Sequence, residues 1–543
     1  MSDERHRFIS RRQFLALAGT AAAGSIVAAC APAPTQTPTA ATAVPTEVST
    51  VAPTQAPEPT APPPREEPVT LKYHFVAWGP MEDAPLVSEA MSEYTLEEIN
   101  ATIELVPLDW AGLEEGIQLS LAAGEQVDLM FTCTWINNFY NNVSNEYLLP
   151  LDDLLPENAP ILWQRLNDLG VWGGARVGGN IYAAINGNIW AVVWGFCIRQ
   201  DILDKYNWDP TTLKTYADYE PFCDAIMKDY PETGILPTGW FDITDHVIWR
   251  GTLWNMDDLG LQVGTTYYAG LHYDDPDLEA LFFAETPEHR EALDIARRWY
   301  QRGYLPAEPT SHEDFVAQMT AGMYAMVPTN IAKPGREFED KAKYGFDLYN
   351  ARMEMGVPLM TTGWLAATMN AVAYTSVDPA RTVQLIEMLN DNVEFYNLIC
   401  KGIEGKHWVW VDEGLKVIGF PEGVTAENAR YNPNTDWMFG DQFKAYYVDI
   451  GQAEADVWGQ TLALNESAVI SEAMGFAFVQ DPVSTEIAQI GNVVSELGVP
   501  LSQGRVDPEE KLPEYRDRLY AAGGETFLAE LQRQLDEFKA TKA

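Results

Sequence analysis

The stretch VTLKYHFVAWGPMEDAPLVSEAMSEYTLEEINATIELVPLDWAGLEEGIQLSLAAGEQVDLMFT, residues 69–132, decides the fold. Its first seven residues alternate Val69, Leu71, Tyr73 and Phe75 against Thr70, Lys72 and His74, the period of a half-buried strand. Residues 84–99 place Leu86, Val87, Ala90, Met91 and Tyr94 at helical spacing. Thr102–Val106 reads as a second strand and 110–123 as a second helix, with Leu113, Ile117 and Leu121 on one stripe and Gly124 placed to end it. Val127–Thr132 is a short apolar strand. The order β-α-β-α-β at this spacing predicts a parallel, doubly wound α/β sheet. Open sheets of this kind bind ligands beyond the carboxyl ends of their strands. Here those ends run into Trp78-Gly79-Pro80 and into Cys133-Thr134-Trp135-Ile136-Asn137-Asn138-Phe139-Tyr140, two loops rich in aromatic and amide side chains.

Upstream, the chain changes character. Arg5, Arg7, Arg11 and Arg12 precede the uncharged run FLALAGTAAAGSIVAA, which spans only Phe14 to Ala29. That run is too short and too weakly apolar to cross a membrane, and the pattern is that of a secretory signal. Ser10-Arg11-Arg12-Gln13-Phe14-Leu15 resembles a twin-arginine export signal, and Val27-Ala28-Ala29-Cys30 resembles a lipobox. Residues 1–29 are therefore expected to be a signal peptide and Cys30 to carry a lipid, a plain signal with an incidental Cys being the alternative. Residues 31–68 hold eleven Pro and eight Thr and no aromatic residue, so 30–68 is expected to be a disordered tether.

Downstream the pattern stays mixed α/β. VGGNIYAAI (177–185) suggests a hairpin strand, and amphipathic helices are expected at 287–302, 312–321, 380–399 and 511–538. The whole chain has 543 residues, of which 46% are hydrophobic, enough for a large core. Lys and Arg total 35 against 79 Asp and Glu, a net charge of −44, which argues against nucleic-acid partners and against an anionic solute. The five Cys, at 30, 133, 197, 223 and 400, form no C-x-x-C pair, and a Cys197–Cys223 disulfide is left open. The seven His are scattered. Asn432-Pro433-Asn434-Thr435-Asp436 has the 1-3-5 spacing of a calcium loop, but Trp437 and Phe443 stand where Gly and Glu belong. Neither metal nor cofactor is expected. No P-loop, dinucleotide fingerprint or nucleophile elbow occurs in the sequence.

All 17 Trp lie beyond residue 69, many beside Asn, Asp or Gly: Trp78, Trp135, Trp190, Trp240, Trp254, Trp364 and Trp437. An indole packs on the C–H face of a sugar while amides and carboxylates exchange hydrogen bonds with its hydroxyls. Most Trp in a chain this long belong to its core; Trp78 and Trp135, on loops at strand ends, favour the binding role.

Several stretches carry a family resemblance. They are Gly124–Phe131 with Trp135 and Leu148-Leu149-Pro150-Leu151-Asp152, Gly179–Ile185 before Ile198–Leu203, and Phe315 through Gly322 to Ala325-Met326. The C-terminal run from Gly402–His407 through Trp437–Gly440 to Asp507-Pro508-Glu509 is similar to a subgroup ending in a domain of unknown function. Together they resemble extracellular solute-binding proteins of the family 1 type, the sugar-binding lipoproteins of bacterial ABC importers. The resemblance implies a two-lobed, periplasmic-binding-protein-like (type II) fold with hinge crossings between lobes. The lobes are expected at 69–190 plus about 325–378, and at about 191–324 plus 379–543. It implies ligand contacts at Trp78, Trp135, Asn137, Asn138, Asn188, Trp240, Asp242, Asn330, Trp364 and Trp437. It further implies a monomer that is no enzyme, that is lipid-anchored through Cys30 to the outer face of the cell membrane, and that hands a saccharide to the transmembrane subunits of an ABC permease. A secreted carbohydrate-active hydrolase using a carboxylate pair is the rival reading, since 79 acidic residues offer many pairs. A peptide-binding or adhesive module is a third.

Overall fold

In the computed structural model, the described residues are 67–542 except 111, 192, 231–234, 237–255, 264–265, 309–311, 330–331, 354–356 and 427. The signal, the lipidation site at Cys30 and almost all of the tether lie outside them.

Strand β1 (Val69–Val76), helix α1 (Ala84–Glu98), β2 (Ala101–Leu108), α2 (Leu113–Ala122) and β3 (Leu129–Thr132) follow in the expected order. β1 pairs in parallel with β2 from Val69 opposite Ala101 to Val76 opposite Leu108, and with β3 at Tyr73 opposite Leu129. The strand Met369–Val372 then runs antiparallel to β3, and Ala184–Ile185 pairs antiparallel with it on the far side. The sheet order is thus β2, β1, β3, Met369–Val372, Ala184–Ile185. The antiparallel member interrupts the expected parallel sheet because the chain leaves for the second lobe and re-enters between two strands already laid down.

β1 is not half-buried. Its first residues alternate, but Tyr73 to Val76 are all buried, since a central strand is covered on both faces. α1 also faces the core differently from its hydropathy. Ala84, Val87, Met91, Ser92 and Thr95 are buried, whereas Leu86 and Tyr94 are exposed. The reason is hydrogen bonding: Ser88 Oγ accepts Leu105 N–H at 3.0 Å, Ser92 Oγ accepts Ile103 N–H at 2.9 Å, and Thr95 Oγ1 donates to Ala101 C=O at 2.8 Å. The edge strand β2 is thereby partly satisfied by a helix's hydroxyls.

The cores do not divide at the expected boundaries. One gathers residues from Leu71 to Trp190 with Met360 to Ala373, but also Val383 to Cys400 and Tyr431 to Ala445, which were expected in the second lobe. A second core holds Phe196 to Leu305 together with Ala325, Met326, Ala351 and Met353, which were expected in the first. The cause is pairing: Gly195–Arg199 is the middle strand of a sheet flanked antiparallel by Met326–Thr329 and Leu348–Arg352, so 326–352 packs with the second lobe. Met353 belongs to this second core and Met360 to the first. A third core joins Leu261 to Leu293 with Ala473 to Leu535.

Two expected helices are each a pair. Pro379–Asp391 and Val393–Lys401 break at Asn392, whose side chain caps the second through Phe395 N–H at 2.9 Å. Pro508–Ala521 and Gly524–Lys542 break at Gly523, at φ +94°. Cys133, Cys197, Cys223 and Cys400 are all free and buried, so Cys197 and Cys223 do not pair.

Candidate ligand-binding site

Each of the three parallel strands ends close to a Trp: β1 at Val76 before Trp78, β2 at Leu108 before Trp110, and β3 at Thr132 before Trp135. A fourth, Trp437, arrives on the single turn Asp436–Met438. The four indoles close a ring. Centroids lie 5.8 Å apart for Trp78–Trp110, 5.2 Å for Trp110–Trp135, 5.8 Å for Trp135–Trp437 and 5.7 Å for Trp437–Trp78. Trp110 and Trp135 are nearly parallel and stacked, 18° apart. Phe131 supports the ring, 6.1 Å from Trp135 and 5.7 Å from Trp437.

Exposure separates this group from the core Trp. Trp78, Trp110 and Trp135 are 53%, 44% and 42% exposed and Trp437 is half-buried, whereas Trp194 and Trp299 are 1% and 0% exposed. Contiguous exposed aromatic surface of this kind marks an interaction site.

The platform is held by directed bonds. Trp135 Nε1–H donates to Ala367 C=O at 2.8 Å, which fixes the indole's azimuth. The turn carrying Trp437 is pinned from three sides: Tyr396 Oη–H donates to Asp436 C=O at 2.6 Å, Lys401 pairs with the Asp436 carboxylate, and Asn186 and Asn370 both donate to Met438 C=O at 2.7 and 2.9 Å. Asn370 in turn accepts from Tyr73 Oη–H at 2.7 Å, so the turn is tied to the middle of the sheet.

Of the expected site residues, Trp78, Trp135 and Trp437 come together. Asn137 is buried at φ +44°; its Nδ2 donates to Phe131 C=O at 2.7 Å and its Oδ1 accepts from Asn142 at 3.0 Å. Asn138, half-buried, caps the helix Phe139–Ser144 through Asn141 N–H at 3.0 Å and donates to Thr134 C=O at 2.9 Å. Both amides shape the loop that carries Trp135. Asn188 is buried in the first crossing, donating to Thr368 Oγ1 and accepting from Asn465 Nδ2 at 2.8 Å. Trp364 is half-buried on the short helix Thr362–Leu365, with its ring 6.4 Å from Trp194. Trp240, Asp242 and Asn330 lie outside the described residues. Trp190, Trp194 and Trp408 are buried and Trp410 is half-buried.

Trp110 was not among the expected residues, because 110–123 reads as the start of a helix. The available signal was positional: it stands as far past β2 as Trp78 stands past β1. Among the described residues no three metal-ligating side chains gather, and no helix is long and apolar enough to cross a membrane.

Comparison with known proteins gives the same picture. A family model described as "Bacterial extracellular solute-binding protein" matches residues 89–398, and one described as "Domain of unknown function (DUF3502)" matches 472–540. A "Carbohydrate ABC transporter substrate-binding protein" of Streptococcus pneumoniae serotype 4 is 23% identical over 463 residues, 82% of this chain and 86% of that protein. The crystal structure of an N-glycan transport solute binding protein from Streptococcus pneumoniae matches with a TM-score of 0.72 at 20% identity, covering 88% of this chain and all of that one. An HMO binding, ABC-transporter associated solute binding protein from Bifidobacterium longum infantis matches with a TM-score of 0.60 at 13% identity, covering 87% and 99%. The two-lobed, type II α/β fold is therefore shared with solute-binding proteins of known structure.

Proposed function

The chain belongs to the bacterial extracellular solute-binding protein family, and on that premise we propose that it is the saccharide receptor of an ABC importer. It is a binding protein rather than an enzyme, and it works outside the cytoplasm. A neutral mono- or oligosaccharide lays its C–H faces on Trp78, Trp110, Trp135 and Trp437, and Trp240, Asp242 and Asn330 are further proposed contacts. Ligand touches both lobes only when they close, so binding shifts the population toward the closed form, which a permease then engages. Asn188 and Trp364 serve at the crossings, while Asn137 and Asn138 hold the Trp135 loop. A lipid on Cys30 anchors the protein, as a monomer, to the outer face of the membrane, with the Pro- and Thr-rich stretch as spacer, after export through the twin-arginine signal.

The observation that carries this reading is the ring of four indoles at the carboxyl edge of the sheet. The relatives named for carbohydrate, N-glycan and HMO transport support the saccharide, and a net charge of −44 disfavours an anion.

The test is thermal melting of the purified protein against monosaccharides, Man1GlcNAc, Man5GlcNAc, amino acids and peptides. A ligand at 100 times its Kd adds about 2.7 kcal/mol. A sugar-specific rise in Tm, compaction in small-angle scattering and recovery of the sugar intact are expected. Cleavage of the sugar would establish the hydrolase instead, and a rise with peptides alone would remove the saccharide.

A further inference from the structure

Trp437 reaches the platform on a segment very distant in sequence from the β1 loop, and the two are zipped together. Trp78 N–H donates to Pro433 C=O at 3.0 Å, Asn432 N–H to Pro80 C=O at 2.8 Å and Asp83 N–H to Arg430 C=O at 2.9 Å. The approach leaves no room for a side chain at position 79: a Cβ there would lie 2.1 Å from the Asn432 carbonyl oxygen.

The end of the zipper away from the indoles terminates on one carboxylate. The Asp83 side chain is only 5% exposed, and it accepts from Arg430 Nε at 2.9 Å, Lys406 Nζ at 3.0 Å and His407 Nε2 at 3.3 Å. His407 Nδ1 accepts Ile403 N–H at 2.8 Å, so its Nε2 carries the hydrogen that points at Asp83. Burial works to raise the Asp83 pKa, but the bonds from Lys406, His407 and Arg430 outweigh it and hold it at about 2. Tyr431, buried, sets the depth of the segment by donating to Ile399 C=O at 2.6 Å. Along the segment Ala429, Tyr431, Pro433 and Thr435 are buried, its Trp437 end is pinned by Tyr396, Lys401, Asn186 and Asn370, and its Arg430 end is anchored on Asp83.

We propose that Asp83 is a positioning residue of the binding platform: by gathering Arg430, Lys406 and His407 it sets the register of 430–437 against 78–83, and with it the Trp78–Trp437 spacing on which a sugar ring rests. The inference rests on the saccharide reading for its purpose, but its test does not need a sugar. Indoles held under 6 Å apart couple their transition dipoles and give a paired positive and negative band in far-ultraviolet circular dichroism.

The experiment is a double-substitution cycle on the ligand-free protein, with Asp83→Asn, Trp437→Phe and both together. Trp437→Phe removes its share of the couplet. Asp83→Asn is expected to lose most of that same share, and to change nothing further once Trp437 is already Phe. Arg430→Gln, which alters an exposed partner of Asp83 Oδ1 and leaves Oδ2 with Lys406 and His407, is expected to lose part of it and serves should Asp83→Asn fold poorly. A couplet unchanged in both the Asp83 and Arg430 variants overturns the proposal, even if their melting temperatures fall, because the node is then structural only. A loss in Asp83→Asn that persists in full without Trp437 overturns it equally. Failure of every sugar in the melting panel counts against the saccharide and not against the Asp83 geometry.

Discussion

Replacing Trp110 by Ala removes an indole that leans on its neighbours but leaves 44% of its surface in water, so the cost should fall on binding more than on folding. Aromatic anchors at the centre of a contact are worth about 2 kcal/mol or more, roughly 30-fold in affinity. Trp110→Ala is therefore expected to weaken binding of the sugar identified in the melting panel by about that factor in calorimetry, with little change in Tm. Asn137 should behave the opposite way. Its amide satisfies the Phe131 carbonyl and Asn142, and its backbone sits at φ +44°, a region that costs a residue such as Ala about 1 kcal/mol. Asn137→Ala is expected to destabilise the protein by roughly 2–4 kcal/mol in urea unfolding, from the broken buried bonds and the strained backbone together. Asn137→Gly should recover only the backbone share. Lost affinity at unchanged stability would instead make Asn137 a ligand contact. The contrast explains what was readable at this scale: an aromatic side chain past a strand end announces itself by position, whereas an amide beside it faces solvent or core according to a backbone angle that residue type alone does not reveal.

At the scale of elements, α1 shows why periodicity identified the helix yet only part of its buried face. Apolar counting selects Leu86, Val87, Ala90, Met91 and Tyr94, of which Val87 and Met91 are buried and Leu86 and Tyr94 exposed; the inward side also carries Ser88, Ser92 and Thr95, whose hydroxyls meet the backbone of β2. Ser92→Ala leaves the buried Ile103 N–H without that partner and is expected to cost about 1–3 kcal/mol in urea unfolding. Leu86→Ser, on the exposed side, should cost almost nothing; the reverse ranking would restore the hydropathic face. The same limit governs the helix breaks. Asn392 and Gly523 interrupt stretches whose apolar spacing runs on uninterrupted, because an Asn cap and a left-handed Gly end a helix without changing its periodicity. β1 to β3 were legible because strand, helix and turn signals agreed there over a short span. The lobe boundaries were not, since they depend on pairings such as Val327 with Cys197 and Asn370 with Phe131, between residues far apart in sequence.

For the whole molecule, each large lobe carries a buried His whose titration couples acidity to folding. His74, in β1, is brought down to about 4 by burial and then by Lys72, against the pull of Asp128, Glu104 and Glu125. His289, on the helix Pro287–Gln301, is also brought down to about 4 by burial and then by Arg516, against a backbone bond to Phe283. An unfolded His titrates near 6.5, so between pH 6.5 and 4 the unfolded chain binds protons that the native protein refuses. Stability is therefore full above pH 6.5, falls as the pH drops through that window, and levels off below it with respect to these two groups. A shift of this size corresponds to about 3 kcal/mol for each His at its limit. Asp83, held at about 2, adds a further loss below its unfolded value near 3.8, as its carboxylate is protonated and the Arg430, Lys406 and His407 node dissolves. Urea unfolding followed from pH 7.5 to 4.5 should show a declining free energy, its slope approaching two protons from His74 and His289 with a further share from His407, lowered by burial. His74→Leu and His289→Leu should each remove about one proton from that slope, and both together should leave only the part carried by His407, which burial also lowers against the pull of Asp83. Since the two imidazoles sit in different lobes, the reductions should add, as they do for distant sites that share no partner. A slope undiminished in the double variant would place the acid sensitivity elsewhere, and a single variant that removes both shares alone would mean that one lobe governs the unfolding of both.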